Sequence, residues 1–165
     1  MVAFLPRLRR FAYGLSGNAA MADDLAQDAC VRALTHREQW QPGTKFESWM
    51  FRITQNLWID NRRSAKSKGA HQDLDSVVEP AGDDGRDVTE GRLTLAAVMK
   101  GMEALSDDQR ALMVLVCIEG ASYKDAAEML GVPIGTVMSR LARARQALAA
   151  QLVPAAQLSS KESHT

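Results

Sequence analysis

The stretch SYKDAAEMLGVPIGTVMSRLARARQ, residues 122–146, constrains the fold most, because its turn chemistry predicts two helices joined by a tight turn. Ser122 suits the N-cap of a first helix over Tyr123–Leu130. Gly131 suits the positive φ that ends this helix, and Pro133 tolerates the first turn of the next one. A short helix, a glycine turn and a second amphipathic helix are typical of a helix-turn-helix.

The second helix of this pair has a predicted core face and a polar face. At about 100° per residue, its apolar residues fall on one side: Ile134, Val137, Leu141, Ala144 and Leu148. Thr136, Ser139 and Arg143 lie opposite, Arg140 lies at the flank, and residues 131–152 contain no acid. Such a helix suits the major groove of DNA. The alternative is an ordinary amphipathic helix with a solvated basic face.

Composition predicts an all-α protein of one or two small domains. The 165 residues contain few aromatics, and apolar clusters with period two are absent. The longest apolar run, residues 111–118, is too short for a membrane span, and arginines between residues 7 and 10 interrupt the N-terminal apolar stretch, unlike a signal peptide. We interpret Cys30 and Cys117 as core thiols in a reducing cytosol. The histidines are scattered, so no metal site and no cofactor is predicted.

The charges are segregated along the chain although the net charge is zero. Residues 1–68 carry 11 Lys/Arg against 6 Asp/Glu, whereas residues 69–92 carry 2 against 7. The basic residues 1–68 suit contact with phosphates. The acidic composition of residues 69–92 predicts a flexible linker. Pro154 is expected to end the last helix. The predicted organisation is an N-terminal domain at 1–64, a linker at 65–92, a C-terminal domain at 93–153 and a disordered tail at 154–165.

The N-terminal domain is predicted to contain helices over residues 3–15, 20–35 and 46–63. Asp24, Gln27 and Asp28 form one polar cluster of the second helix. Acids near a helix N-terminus are favoured by the helix dipole. That explanation suffices for Asp24 and is weaker for Asp28, which lies a turn further in.

The third helix carries a predicted core stripe, made of Phe46, Trp49, Met50, Ile53 and Leu57. Arg52 and Asn56 lie on another face, with Lys45 just before the helix and Trp40 in the preceding Pro-Gly loop. Basic side chains, an amide and an aromatic ring suit single-stranded DNA, whose bases stack and whose phosphates pair with cations. The alternative is that Trp40 caps the core.

Three motifs together resemble the extracytoplasmic-function class of bacterial sigma factors, the promoter-recognition subunits of RNA polymerase. They are DDLAQDACVRAL at 23–34, FESWMFRITQNLWIDNRRS at 46–64, and ALSDDQR followed by GASYKDAAEMLGVPIGTVMSRLARAR. The resemblance covers about residues 4–152. It implies a region 2-like helical bundle and a region 4-like helix-turn-helix that act in transcription initiation. It also implies that the chain is not an enzyme, in keeping with the absence of a nucleophile–base pair in the sequence.

The resemblance implies a role for each candidate site residue. The residues implied to contact the polymerase β′ subunit are Asp24, Gln27 and Asp28. Those implied to hold or line the melted minus-ten strand are Trp40, Thr44, Lys45, Arg52 and Asn56. Those implied to contact the minus-thirty-five duplex are Thr136, Ser139, Arg140 and Arg143. Met138 departs from the family pattern, because many relatives have Lys or Arg there.

The expected partners are core RNA polymerase, promoter DNA and an anti-sigma protein, with a monomeric free chain in the cytoplasm and no membrane insertion. Two alternatives remain open. A dimeric helix-turn-helix regulator would leave residues 1–64 unexplained. A sigma-like decoy that binds only an anti-sigma factor would need no basic reading helix, and Arg52, Asn56, Arg140 and Arg143 therefore argue against it.

Overall fold

A computed structural model describes residues 1–69 and 86–159, and this part of the chain consists of helices and loops without a strand. The bounds of its seven α-helices are α1 Leu5–Ser16, α2 Ala19–Thr35, α3 Phe46–Ser67, α4 Arg86–Glu103, α5 Asp107–Met113, α6 Tyr123–Leu130 and α7 Ile134–Ser159. A π-helical turn, Val114–Ile118, continues α5. The prediction of an all-α protein is confirmed. No helix among the described residues is long and apolar enough to cross a bilayer.

The helix ends follow the local chemistry that the sequence indicates. Ser106 and Gln109 form a reciprocal capping box at the start of α5. The Ser122 hydroxyl accepts a hydrogen bond from the Asp125 main-chain N–H and so caps α6. Gly131 ends α6 with φ of 65°, a conformation that costs glycine nothing. The predicted helix-turn-helix is confirmed.

Helices α1, α2 and α3 pack together as the N-terminal half. Phe11 and Phe51 meet edge to face with ring centroids 4.9 Å apart, and Leu8, Leu15 and Met50 surround them in full burial. Removing each such side chain from water stabilises the fold by roughly 1.5–3 kcal/mol.

The α3 core differs from the predicted stripe. Met50 is fully buried, but Phe46, Trp49, Ile53 and Leu57 are only half-buried. The buried set extends to Phe51, Thr54, Gln55 and Trp58. The reason is that α3 is covered on two sides, by α1 and α2 and also by α6. The buried Thr54 hydroxyl is satisfied because it donates to the Met50 carbonyl at 2.8 Å.

In the C-terminal half, α4, α5 and α6 pack on α7. The predicted core face of α7 is right for Val137, Leu141 and Ala144, which are at most 1% exposed. It is wrong for Ile134, which is 48% exposed because it is the first residue of α7 and lies at the edge of the core.

Three predicted helix boundaries are wrong. Helix α3 continues past residue 63 to Ser67, and α4 begins at Arg86 rather than 93, because neither stretch contains a proline and a single glycine costs only about 1 kcal/mol in a helix. Helix α7 runs through Pro154 to Ser159, because proline has a helical φ and alanines follow it. Most of the predicted linker, residues 70–85, and the tail residues 160–165 lie outside the described residues.

One of the two cysteines interpreted as core thiols is exposed. Cys117 is exposed and Cys30 is half-buried, so the core-thiol prediction is wrong for Cys117. The π-helical turn, marked by the hydrogen bond from Glu119 N–H to Val114 O, adds a residue to one turn and shifts the register of the chain that follows. Val31 and Leu34 of α2 are each 62% exposed.

The two halves contact each other directly. Helix α3 packs on α6, and α1 packs on α5 and on the π-helical turn. Gly14 permits the second contact, because a Cβ atom at this position would lie 2.5 Å from Val114 Cγ2. The buried Arg110 side chain ties the halves further by donating to the carbonyl oxygens of Leu15 at 2.7 Å and Met102 at 3.0 Å.

Candidate nucleic-acid interface

Helix α2 presents one exposed polar face. Asp24, Gln27 and Asp28 are all exposed on it, and within the described part of the chain their side chains have no hydrogen-bond or ion-pair partner. Their neighbour Asp23 pairs instead with Arg9, whose Nε lies 2.7 Å from the carboxylate. The structure therefore brings the three predicted residues together on a surface that is open to another molecule.

The exposed apolar residues Val31 and Leu34 extend this face. Val31 lies seven residues after Asp24 and Leu34 seven after Gln27, so each falls close to the same line along the helix. Sequence reasoning missed them because an apolar residue on an amphipathic helix ordinarily faces the core. The seven-residue spacing was the available signal.

The loop before α3 holds Trp40 against the edge of the core. The indole is half-buried and meets Phe46 edge to face at 6.2 Å. Its Nε1 atom is buried and has no hydrogen-bond partner. Thr44 is exposed and its hydroxyl donates to the Gln41 carbonyl at 2.7 Å, which fixes the loop as a turn. In this arrangement the indole ring packs on protein, as the core-capping alternative requires.

The basic face of α3 points at the helix-turn-helix. Arg52 Nε donates to the Met129 carbonyl at 3.1 Å, and its Nη2 donates to the Glu128 carbonyl. Lys45 Nζ lies 2.8 Å from Asp125 Oδ1; this hydrogen bond raises the pKa of Lys45 and lowers that of Asp125. Asn56 is exposed and, among the described residues, unpartnered.

The candidate duplex-reading residues lie along one side of α7. Thr136 and Arg140 are half-buried, whereas Ser139 and Arg143 are exposed. The Ser139 hydroxyl donates to the Thr136 carbonyl at 3.1 Å.

The cations of α7 differ in what they contact. Arg140 pairs with Asp108 at 3.2 Å, while the Arg143 guanidinium has no partner in the described chain. Arg145 is held by Tyr123, whose hydrogen bond raises the pKa of the guanidinium. Met138 is 53% exposed. Arg143 is therefore the arginine of this helix that is free to meet a ligand.

Sequence reasoning also missed the polar residues that join the two halves. Asp107 accepts hydrogen bonds from Trp58 Nε1 at 3.1 Å and Arg62 Nη1 at 3.0 Å. Glu119 pairs with Arg7 at 3.0 Å and Arg10 at 2.6 Å. No sequence signal could have paired residues so far apart. Within residues 1–69 and 86–159, no group of three or more His, Cys, Asp or Glu side chains is arranged to hold a metal ion.

Family models match both halves. The model described as Sigma-70 region 2 matches residues 1–68, and the one described as Sigma-70, region 4 matches residues 95–148. The first match covers the α2 and α3 surfaces, and the second covers the helix-turn-helix.

Individual relatives are similar over nearly the whole chain. The ECF RNA polymerase sigma factor EcfG of Rhodopseudomonas palustris is 36% identical over 92% of this chain and 82% of its own length. SigW of Bacillus subtilis, also an ECF RNA polymerase sigma factor, is 32% identical over 88% of this chain and 83% of its own.

A solved structure is similar over most of the chain. The sigma factor RpoE of Bartonella quintana, in its complex with the anti-sigma factor NepR, superposes with a TM-score of 0.73 at 32% identity, over 92% of both chains. Matching family models for both halves, relatives along most of the chain and this structural likeness agree. The chain belongs to the ECF family of RNA polymerase sigma factors.

Proposed function

We propose that this sigma factor docks on core RNA polymerase through the exposed α2 face and reads a promoter with two separate surfaces. The Asp24, Gln27 and Asp28 side chains would supply the polar contacts, and Val31 and Leu34 the apolar ones. An exposed apolar pair beside unpartnered acids suits a protein partner, because polar residues alone bury little apolar area. The family consists of transcription initiation factors, so the chain is not an enzyme.

The two DNA surfaces are proposed to read different forms of the promoter. Trp40, Thr44, Lys45, Arg52 and Asn56 would engage the melted minus-ten strand, where stacking and phosphate contacts both operate. On α7, Thr136, Ser139, Arg140 and Arg143 would engage the minus-thirty-five duplex in its major groove. The unpartnered guanidinium of Arg143 is the best placed of these for a base edge.

The observation that carries this proposal is the open α2 face in a chain that also has both DNA-reading elements. A dimeric regulator needs no polymerase-docking surface and no single-strand surface. We further propose that an anti-sigma protein controls this factor in the cytoplasm in response to stress, since the similar RpoE of Bartonella quintana is bound by the anti-sigma factor NepR. The free chain is proposed to be a monomer.

Reconstituted transcription tests the proposal. Core polymerase with the purified protein would transcribe a library of random promoter-length DNA, and sequencing of the transcript ends would identify the promoters used. We expect initiation from sites with two separated elements. Asp24→Ala/Asp28→Ala should abolish both transcription and co-purification with core polymerase. The matched control is Asp60→Ala/Glu103→Ala, which removes two exposed acids elsewhere and should leave both unchanged.

Two other results would assign a different function. A tight symmetric dimer on DNA with no transcript would establish the regulator. Binding to an anti-sigma protein, with no binding to polymerase or DNA, would establish the decoy.

A further inference from the structure

Helix α7 carries an exposed row of apolar residues along one side. Ile134 is 48% exposed and Met138 is 53% exposed, and Ala142, one turn further on, is also exposed. Residues four apart lie on the same side of a helix, so these three form a single apolar row. We infer that this row reads the promoter duplex, with Met138 packing on the C5-methyl group of a thymine in the minus-thirty-five element. The inference rests on the proposed function of α7 and gives it a specificity-determining residue.

The core of the C-terminal half does not need the exposed side chain of Met138. Val137, Leu141 and Ala144 fill the core face of α7 and are at most 1% exposed. A single exposed apolar residue is ordinary on a protein surface. Ile134 and Met138, however, are two large apolar residues one turn apart, at the N-terminal end of the helix that also carries the candidate duplex contacts. The N-terminal turns of such a helix are the part that meets base edges in a helix-turn-helix.

A polar row runs along α7 next to the apolar row. Its members Gly135, Ser139 and Arg143 are all exposed. Gly135 lies within one helical turn of both Met138 and Ser139. A Cβ atom at Gly135 would meet nothing within 4 Å, so the surface between the two larger side chains is open. One base-pair edge therefore has room to contact Met138 while the next contacts Ser139 or Arg143.

The charges of α7 indicate which kind of partner covers the apolar row. Residues 131–152 contain no acid, and the guanidinium of Arg143 has no partner in the described part of the chain. A helix without carboxylates enters the major groove without repulsion from the phosphates. The Sigma-70 region 4 model also matches this helix as far as residue 148. The occupant of the row is therefore double-stranded DNA.

The major groove offers an apolar side chain a single apolar group, which is the C5-methyl of thymine. Guanine, cytosine and adenine present hydrogen-bond donors and acceptors there. The thioether of Met138 has no donor and only a weak acceptor, so it would displace water from those polar edges without replacing its hydrogen bonds. Against a methyl group, the same side chain buries apolar area on both partners. Methionine is also unbranched and flexible, which lets its end follow the methyl group.

Replacement of thymine by uracil tests the inference, because it removes the C5-methyl group and leaves base pairing intact. The full-length protein, assembled with core polymerase, would first select duplexes from a random library. Each thymine of the minus-thirty-five element, on either strand, is then replaced by uracil, one at a time, and competition binding measures the affinity. We expect one position at which the affinity of wild type falls about fourfold, the loss that corresponds to one buried CH₂-sized group.

Variants at residue 138 show whether Met138 makes that contact. Met138→Gln keeps the length of the side chain but places an amide at its end, and should bind the thymine and uracil duplexes equally. Met138→Leu keeps an apolar end and should still prefer thymine. The matched control is Leu95→Gln, which changes another apolar residue of similar exposure, 52%, on α4 and should keep the wild-type preference. Protein and base changes form a double-mutant cycle, so a general loss of affinity or stability cancels from the coupling.

Three results would overturn the inference. Wild type could bind thymine and uracil equally at every position, or Met138→Gln could keep the wild-type preference for thymine. Met138→Gln could also lose affinity equally on every duplex, which would assign the apolar row to a contact with the polymerase itself. If wild type still transcribes with core polymerase in these cases, the proposed function stands and only the role of Met138 fails. If the assembled protein selects no duplex and gives no transcript, the proposed function fails on its own test and the inference fails with it.

Discussion

The Arg52 Nε atom donates a hydrogen bond to the Met129 carbonyl oxygen across 3.1 Å, although the residues are 77 positions apart. Met129 lies in the last turn of α6, where main-chain oxygens have no partner within the helix. The guanidinium thus caps the first helix of the helix-turn-helix. This side chain therefore joins the two halves in the structure, and by the proposed function it would also contact the promoter strand in the polymerase complex.

Arg143→Ala should weaken binding to a promoter duplex within the polymerase complex by about 1–3 kcal/mol if the guanidinium contacts a base edge. The reason is that Arg143 is exposed and unpartnered among the described residues. Titration of matched and base-substituted duplexes measures the effect, with Arg145→Ala as control because Tyr123 holds that side chain. An equal loss on all sequences, with a smaller salt slope, would assign Arg143 to phosphate instead. No change in either quantity would remove it from the interface.

Met138→Arg should raise duplex affinity, because it adds a cation at an exposed position on the reading helix. If the new guanidinium reaches one phosphate, the slope of log affinity against log salt should steepen by about 1. Met138→Gln, which is polar but uncharged, serves as control and should leave the slope unchanged. Equal affinities for Met138→Arg and wild type at low salt would place residue 138 off the DNA.

Most of the fold could be predicted from sequence because local rules govern it. The capping residue Ser122 and the turn residue Gly131 act within one or two helical turns of their own position, and the structure has the helix ends they predict. Pro154 misled the prediction because the local rule for proline does not decide the outcome there. The helix continues through Pro154 although proline cannot donate the main-chain hydrogen bond. Whether the neighbouring residues compensate for that loss cannot be told from the proline alone.

The contacts between the halves could not be predicted from sequence. Glu119 reads as an ordinary acid at a helix end, yet its partners Arg7 and Arg10 lie more than a hundred residues away. Periodicity assigns one buried face to a helix, so it missed that α3 is covered on two sides. Lys45 and Arg52 both contact α6, and the sequence does not reveal these partners.

Asn56→Ala should impair promoter opening while leaving thermal stability unchanged, because its side chain is exposed and makes no contact in the described chain. Trp40→Ala should lower both promoter opening and thermal stability, since the indole also packs edge to face on Phe46. Such a contact stabilises by about 0.5–1.5 kcal/mol beyond its buried area. Permanganate footprinting reports opening, and thermal melting reports stability. Normal opening by the Asn56 variant would exclude it from the melted strand.

Arg110→Leu should lower the free energy of unfolding by about 2–4 kcal/mol. The buried guanidinium donates to the Leu15 and Met102 carbonyls, and a leucine would leave both oxygens without these donors. Burial, which lowers the pKa of Arg110, is the cost that these bonds offset. Urea denaturation measures the change. The free energy of unfolding of Arg110→Lys should lie between those of wild type and Arg110→Leu, because an ammonium lacks the planar fork that reaches both carbonyls. A loss as large as that of the leucine variant would contradict this geometry.

Acid should weaken the contact that Glu119 makes with Arg7 and Arg10 of α1. Burial alone would raise the pKa of this carboxyl, but the hydrogen bonds from Arg10 and Arg7 outweigh it and lower the pKa in the folded protein. A carboxyl with a depressed pKa stabilises the state that depresses it at pH values above its ordinary pKa, and this contribution is lost as the pH falls through the lowered value. The contribution of this contact to stability should therefore be largest near neutral pH and fall below about pH 4, where free glutamate titrates.

The comparison of wild type with Glu119→Gln isolates this contribution from general acid unfolding. The difference between their urea midpoints should be constant from pH 8 to about pH 5 and shrink below about pH 4. The Gln variant lacks the titrating group but keeps every other carboxyl, including Asp125, so their effects cancel in the difference. A gap between the midpoints that stays the same down to about pH 3 would mean that Glu119 is not held as a paired carboxylate between α1 and the C-terminal half.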